Sequence, residues 1–168
     1  MSDSQSPSTD DLDTAFNYIR RRGRFTKAQA SALQALSDQY RWQAEDLQHR
    51  PLGMEIGFGM GDSLLNQAIN EPHWDFLGVE VHKPGVGRLM NEAKKAGVTN
   101  LRVICEDAVE VLADGLGPQS LEGVQIYFPD PWHKKRHHKR RIIQPSFINL
   151  LAHRVRLGGF CHLATDWA

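Results

Sequence analysis

Residue types and spacing that suit ligand binding occur in the segment Glu55-Ile-Gly57-Phe-Gly59-Met-Gly61-Asp62. The acid Glu55 precedes three alternate glycines there. Alternate glycines let the backbone turn tightly and lie against a ligand without interference from a Cβ atom. The Glu55 carboxylate, two residues before the first glycine, could attract a positively charged sulfonium or α-ammonium group. Asp62 stands where a dinucleotide fingerprint needs its last glycine, and it would repel a pyrophosphate. The loop therefore indicates a nucleoside ligand with a positive charge rather than a dinucleotide.

Two further acids follow predicted strands. Glu80 lies 19 residues after Gly61, at the end of the second predicted strand. A nucleoside-binding α/β fold places there the carboxylate that accepts both ribose hydroxyls, although a solvated strand end would also explain it. Asp107 follows the third predicted strand, where it could face the same crevice, cap a helix, or do both. Because parallel strands end at one edge of a sheet, we expect Glu55, Glu80 and Asp107 to border one crevice.

Asp130 lies between Pro129 and Pro131 at the end of the fourth predicted strand. The prolines fix φ and cannot donate to a β-ladder, so they would hold Asp130 rigidly where the strand opens into the crevice. Such a frame costs sheet pairing, which argues against a purely structural role. Trp132 is either a stacking face for a base or a cofactor ring, or a packing residue; the sequence leaves both open.

Positive charge is concentrated in two segments of a chain whose net charge is zero. Residues 133–141 contain six Lys or Arg and three His without an acid. A second cluster contains Arg20, Arg21, Arg22, Arg24 and Lys27. This pattern predicts a polyanionic partner, whose phosphates the basic side chains would orient through counterion release. The histidines lack Cys, Asp or Glu at ligand spacing beside them, so no metal site is predicted.

Strands and helices alternate from Pro51 onward, which predicts βαβ units and a mostly parallel, doubly wound α/β sheet. The predicted strands are Leu52–Gly57, Phe76–Val81, Leu101–Cys105, Gly123–Phe128 and Gly159–Ala164. Helices are predicted over Ser63–Ile69, from Pro84 to Gly97, after Asp107, and around Phe147–Leu151. Before the sheet, a capping box at Thr26–Gln29 predicts a helix that runs to about Tyr40.

Composition limits the class of protein. The 168 residues suffice for one domain, and no apolar run is long enough to cross a bilayer. The first fifteen residues carry four Asp and no apolar signal segment, which predicts a disordered acidic tail. Cys105 and Cys161 are predicted to be buried, reduced thiols. These features predict a cytoplasmic protein that does not bind membranes.

Six segments together resemble the bacterial tRNA (guanine-N7)-methyltransferase family. They are Arg22–Gln29, Glu55–Gly61, Phe76–Gly87, Asn100–Ala108, Phe128–Arg141 and Gly158–Trp167, and Phe128-Pro-Asp-Pro-Trp-His-Lys134 is the most specific part. The resemblance implies a Rossmann-like class I methyltransferase fold with strand order 3-2-1-4-5. It also implies three regions: a disordered acidic tail over 1–18, a basic N-terminal helical extension over 19–50, and an S-adenosylmethionine-binding domain over 51–168.

The same resemblance implies methyl transfer from S-adenosylmethionine to N7 of guanosine 46 in the tRNA variable loop. Cofactor contacts are implied at Glu55, Gly57, Gly59, Glu80, Asp107 and Asp130, with a catalytic part for Asp130. Substrate contacts are implied at Lys134 and Asp166. Contacts with tRNA are implied at Arg136, His137, His138, Lys139, Arg140 and Arg141.

The sequence stops at Trp167-Ala168, whereas the resemblance implies closing strands and a Thr-x-Phe-Glu-like motif beyond the fifth strand. We therefore expect a C-terminally truncated chain with weak or no activity and an exposed apolar edge at Gly159–Ala164. We expect a monomer or weak homodimer. A non-catalytic tRNA-binding or RNA-binding module is the main alternative. A nucleotide-dependent oxidoreductase is a further one, which the loop spacing opposes.

Overall fold

The computed structural model describes residues 27–43, 50–130, 133, 136, 138 and 141–165, without the side chains of residues 27–33. The chain divides into two compact units, Met1–Ala35 and Leu36–Ala168. The described part of the first unit is the beginning of a helix. The second unit contains the sheet and the candidate functional site. The predicted acidic tail over 1–18, the capping residue Thr26 and the N-terminal arginine cluster lie outside the described residues.

Five parallel strands form the sheet, in the order β3-β2-β1-β4-β5. They are β1 (Leu52–Ile56), β2 (Asp75–Val79), β3 (Leu101–Ile104), β4 (Leu121–Tyr127) and β5 (Val155–Ala164). Both the doubly wound α/β class and the predicted strand order are confirmed. Because every strand runs in the same direction, all five carboxyl ends lie at one edge, which we call the carboxyl edge.

Four of the described helices connect consecutive strands and pack on the sheet. They are α2 (Asp62–Asn70), α3 (Lys83–Lys95), α4 (Ala108–Asp114) and α5 (Pro145–Arg154), and a further helix, α1 (Lys27–Tyr40), comes before the first strand in the chain. Pro84 lies in the first turn of α3, where its missing N–H group costs nothing, and Gly97 follows the helix at φ 68°. Asp107 caps α4 by accepting a hydrogen bond of 2.8 Å from the Val109 amide. These predicted boundary residues are confirmed.

The main hydrophobic core lies on one face of the sheet. Alternate residues of the central strands, such as Met54 and Val124, are almost fully buried there against α4 and α5. Burial of this apolar area is the main favourable contribution to folding. The opposite face is polar or glycine-rich at the matching positions, and it is the face that α2 covers beside β1.

Two predictions about β5 and the cysteines differ from the structure. The strand begins at Val155 rather than Gly159, because α5 ends directly in extended backbone at that residue. β5 is an outer strand, and Phe160 and Leu163 are exposed within the apolar edge predicted at Gly159–Ala164. Cys161 is therefore exposed, and Cys105 lies just beyond β3 and is half-buried, so the prediction of two buried thiols is wrong.

Among the described residues, no helix combines the length and apolar character needed to cross a membrane. Within the same part of the chain, His, Cys, Asp and Glu form no group of three or more that could hold a metal ion.

Candidate functional site

The glycine loop connects β1 to α2 at the carboxyl edge. Gly57, Gly59 and Gly61 adopt φ values of 70°, 59° and 84°, a left-handed conformation that side chains other than glycine rarely tolerate. The Gly57 amide donates to the Val79 carbonyl of β2 at 2.8 Å, which fastens the start of the loop. A Cβ atom added at Gly57 or Gly59 would meet nothing within 4 Å, so the loop presents bare backbone to open space. A ligand can therefore approach the main chain closely there.

Glu80, directly after β2, holds the loop in this shape. One carboxylate oxygen accepts the Gly59 amide at 2.8 Å, and the other accepts the His82 amide at 2.8 Å. The side chain is buried, and a buried carboxylate requires such partners. Each carboxylate oxygen has more than one acceptor direction, so Glu80 can still accept hydroxyl groups from a ligand.

Glu55 is buried on the face of the sheet that α2 covers. Its carboxylate accepts a hydrogen bond from Gln67 at 3.2 Å and another from Ser63. Burial raises the pKa of the Glu55 carboxyl from 4.5 to about 7, and the two hydrogen bonds oppose that rise only in part. Side chains alternate between the two faces along β1, and Glu55 lies on the face toward α2, close to the carboxyl edge.

Glu55 borders a groove of about 210 Å³ that aromatic side chains help to line. The groove lies over the neighbouring residues Gly53 of β1 and Gly123 of β4. The Phe160 ring fills the position that a side chain at residue 123 would take, since a Cβ atom there would lie 2.3 Å from it. Trp74 and other aromatic rings complete the wall of the groove.

We expect Glu55→Gln to change the free energy of unfolding, relative to the parent, more favourably at pH 8 than at pH 5. The folded state holds the Glu55 proton more tightly than the unfolded state, so the stabilising contribution is present below pH 4.5 and is lost as the pH rises to about 7. A pKa raised from 4.5 to about 7 corresponds to roughly 3 kcal/mol, and glutamine avoids this loss. Urea unfolding at both pH values measures the difference. Glu71→Gln, at an exposed position, is the control. An equal effect of Glu55→Gln at the two pH values would contradict the raised pKa of Glu55 in the folded state.

The strand order brings the remaining predicted acids to the same edge. Asp107 follows β3 and Asp130 lies three residues after β4, so they stand on opposite sides of Glu80 and the glycine loop. Both side chains are exposed. Phe128 adopts φ 48° and donates its amide to the Ala164 carbonyl at 2.8 Å, so the chain turns immediately before Asp130.

Some contacts at the carboxyl edge could not be predicted from the sequence. Arg88 of α3 donates hydrogen bonds to the Met60 carbonyl and to both carboxylate oxygens of Asp62. The Tyr127 hydroxyl lies 3.2 Å from Nδ1 of His162, and the two rings meet edge to face. These partners are 26, 28 and 35 residues apart, so only the folded chain brings them together.

Several predicted site residues lie outside the described part of the chain. They are Trp132, Lys134, His137, Lys139, Arg140 and Asp166. Arg136 and His138 are described, and Arg141 donates its amide to the His138 carbonyl at 3.0 Å. The assigned roles of all these residues stay predictions.

Two solved structures illustrate the similarity in fold. PKMT2 from Rickettsia typhi in complex with AdoHcy superposes with a TM-score of 0.53, covering 77% of this chain and 23% of that chain at 15% identity. The 16S rRNA methyltransferase KamB superposes with a TM-score of 0.51, covering 82% of this chain and 57% of that chain at 16% identity. At such low identity the likeness concerns the fold alone.

Sequence comparison is more specific. A family model described as "Putative methyltransferase" matches residues 49–168. Two curated relatives are named tRNA (guanine-N(7)-)-methyltransferase. The Idiomarina loihiensis protein is 51% identical over 92% of this chain and 66% of its own length. The Pseudoalteromonas atlantica protein is 47% identical over 90% of this chain and 67% of its own length.

The chain thus spans about two thirds of the length of the curated relatives it matches. The match includes the glycine loop, Glu80, Asp107 and Asp130, which lie together at the carboxyl edge. On these grounds the chain belongs to the tRNA (guanine-N(7)-)-methyltransferase family.

Proposed function

We propose that this chain forms the cofactor site, and part of the tRNA site, of an enzyme that methylates N7 of a guanosine in the tRNA variable loop. S-adenosylmethionine is the proposed methyl donor. The observation that carries the proposal is the glycine loop, fastened by Glu80 at the carboxyl edge beside Asp130. The names of its relatives support the choice of tRNA guanine as substrate.

The described residues fit such a cofactor. The open backbone at Gly57 and Gly59 leaves room for the methionine part, and Glu80 has acceptor directions left for the ribose hydroxyls. Glu55 provides negative charge near the loop when it is ionised, and a positively charged ligand would favour that ionised form. Asp107, which already caps α4, is exposed at the edge where an adenosine would extend beyond Glu80.

The reaction needs alignment more than proton transfer. Guanine N7 has a free lone pair and no proton to lose, so no general base is required. S-adenosylmethionine supplies an electrophilic methyl group on a sulfonium. The protein must hold N7 in line with that methyl group and oppose the positive charge that develops on the purine. Asp130 follows β4, the strand paired with β1 from which the loop leaves, and is the acid proposed to do both.

The basic segment over residues 133–141 is proposed to bind tRNA phosphates. It begins three residues after Asp130, so its basic residues closely follow the proposed catalytic acid in the sequence. Lys134 and Asp166 are proposed to contact the target nucleoside, and Arg136 to Arg141 the backbone. Phosphate contacts of this kind fix the position of the RNA without reading its bases. The proposed compartment is the cytoplasm.

A methyl-transfer assay tests the proposal. The chain is incubated with methyl-labelled S-adenosylmethionine and unmodified tRNA, both alone and extended with the part of the Idiomarina loihiensis relative that the match does not cover. We expect label in 7-methylguanosine at the variable loop, with the extended form faster. Calorimetry with S-adenosylhomocysteine measures cofactor binding separately.

Two results would contradict the proposal. Label in another nucleoside would show a different substrate position. Binding of tRNA without binding of S-adenosylhomocysteine, and without label in either form, would favour an RNA-binding module that lacks chemistry.

A further inference from the structure

Helix α3 packs its first turns directly on the glycine loop. A Cβ atom at Gly85 would lie 1.9 Å from the Gly59 carbonyl oxygen, so the two backbones touch there. A Cβ atom at Gly61 would lie 2.8 Å from the Leu89 side chain. Both glycines are needed because helix and loop approach too closely for a side chain between them. The loop thus rests on α3 at two points.

Arg88 lies on α3 between these two contacts and bonds to the loop. Its Nη1 donates to the Met60 carbonyl at 2.8 Å and to one Asp62 oxygen at 3.0 Å. Its Nη2 donates to the other Asp62 oxygen at 2.8 Å. These hydrogen bonds hold the pKa of the Asp62 carboxyl below its usual range and raise the pKa of the Arg88 guanidinium. The planar guanidinium therefore binds both the glycine loop, at Met60, and the first residue of α2, Asp62.

A loop of left-handed glycines has many accessible conformations when it is not restrained. Ordering it only when a ligand arrives would reduce affinity, because the lost conformational entropy is subtracted from the binding free energy. Glu80 restrains the loop at Gly59, and Arg88 restrains it on the far side, at Met60 and Asp62. Together they fix the segment that the proposed cofactor must approach.

We infer that Arg88 is a positioning residue: through Met60 and Asp62 it holds the glycine loop in the conformation that receives the cofactor. The inference rests on the proposed function. Arg88 itself acts through the loop and is not assigned a contact with the cofactor. Because the Arg88–Asp62 pair is partly exposed, its effect on global stability is small, and the loop is where its loss is measured.

Calorimetry with S-adenosylhomocysteine tests the inference on the chain as it stands. We expect Arg88→Ala to raise Kd by roughly 3- to 10-fold, while the midpoint of urea unfolding changes little. Arg88→Lys should restore only part of the affinity, since one ammonium cannot reproduce a planar fork. Lys95→Ala is the matched control, because Lys95 is on the same helix and forms an exposed ion pair with Glu92 away from the loop.

A double-mutant cycle with Asp62→Ala separates the two attachments. Arg88 also holds Met60, so Arg88→Ala should weaken binding more than Asp62→Ala does. The double variant should be no weaker than Arg88→Ala alone. Fully additive effects, or a Kd for Arg88→Ala equal to that of Lys95→Ala, would overturn the inference.

Amide hydrogen exchange provides a measurement that needs no cofactor. The Gly61 amide donates to the Phe58 carbonyl at 2.9 Å within the loop, so its exchange rate reports loop opening. We expect Arg88→Ala to accelerate exchange at Gly61 several-fold and Lys95→Ala to leave it unchanged. Unchanged exchange in Arg88→Ala would refute the positioning role. If the unsubstituted chain fails to bind S-adenosylhomocysteine while exchange responds as expected, the proposed cofactor is wrong and the loop restraint stands.

Discussion

Replacing Asp130 with alanine is expected to lower methyl transfer to tRNA by about 100-fold or more, because the site loses the charge that opposes the cationic purine. The fold should remain intact, since Asp130 is exposed at the carboxyl edge and lies beyond the last paired residues of β4. A single-turnover assay with excess protein and methyl-labelled cofactor measures the chemical step even where turnover is slow. Urea unfolding of the same variant checks its stability.

Asp130→Asn separates charge from position. Asparagine keeps an oxygen acceptor in the same place but not the negative charge, so its rate should fall between those of the parent and Asp130→Ala. Asp114→Ala provides a control, because Asp114 is an exposed acid at the end of α4. Parental rates in Asp130→Ala would refute the catalytic assignment. A rate loss explained by unfolding would refute the expectation that the residue is structurally dispensable.

The alternation of strands and helices and the acids of the carboxyl edge were accessible from the sequence because their signals are local, whereas the order of the strands was implied by the family resemblance. Glu80 was predicted from its spacing after the glycine loop, and the structure places its carboxylate 2.8 Å from the Gly59 amide. Asp107 was predicted either to cap a helix or to face the crevice, and its cap is present. Pro84 and Gly97 likewise mark α3 through backbone geometry that each residue carries by itself.

Features that depend on distant partners were not accessible. The orientation of Glu55 toward α2 follows from the pairing of β1 with both its neighbours, and its raised pKa follows from that burial. The bonds from Arg88 of α3 reach Met60 in the glycine loop and Asp62 at the start of α2, which are distant from Arg88 in the sequence. The start of β5 was misplaced because Gly158 and Gly159 resemble a turn, whereas the structure continues the strand through them.

Glu80→Ala is expected to produce the largest loss of cofactor affinity, because Glu80 both restrains the loop and is proposed to accept the ribose hydroxyls. Its removal leaves the Gly59 and His82 amides without their carboxylate partner. Hydrogen bonds to charged groups contribute about 1.5–3 kcal/mol each, so Kd for S-adenosylhomocysteine should rise by roughly 100-fold. Stability should also fall by about 2 kcal/mol, which urea unfolding measures.

A ligand lacking the ribose 2′-hydroxyl separates the two roles. The parent chain should bind 2′-deoxy S-adenosylhomocysteine about 10-fold more weakly than S-adenosylhomocysteine, since the Glu80 carboxylate then loses a donor. Glu80→Ala should bind both ligands equally, whereas Arg88→Ala should keep the parental ratio because its effect runs through the loop alone. If Glu80→Ala still prefers the ribose form by the parental ratio, Glu80 does not contact the sugar, and only its hold on Gly59 remains.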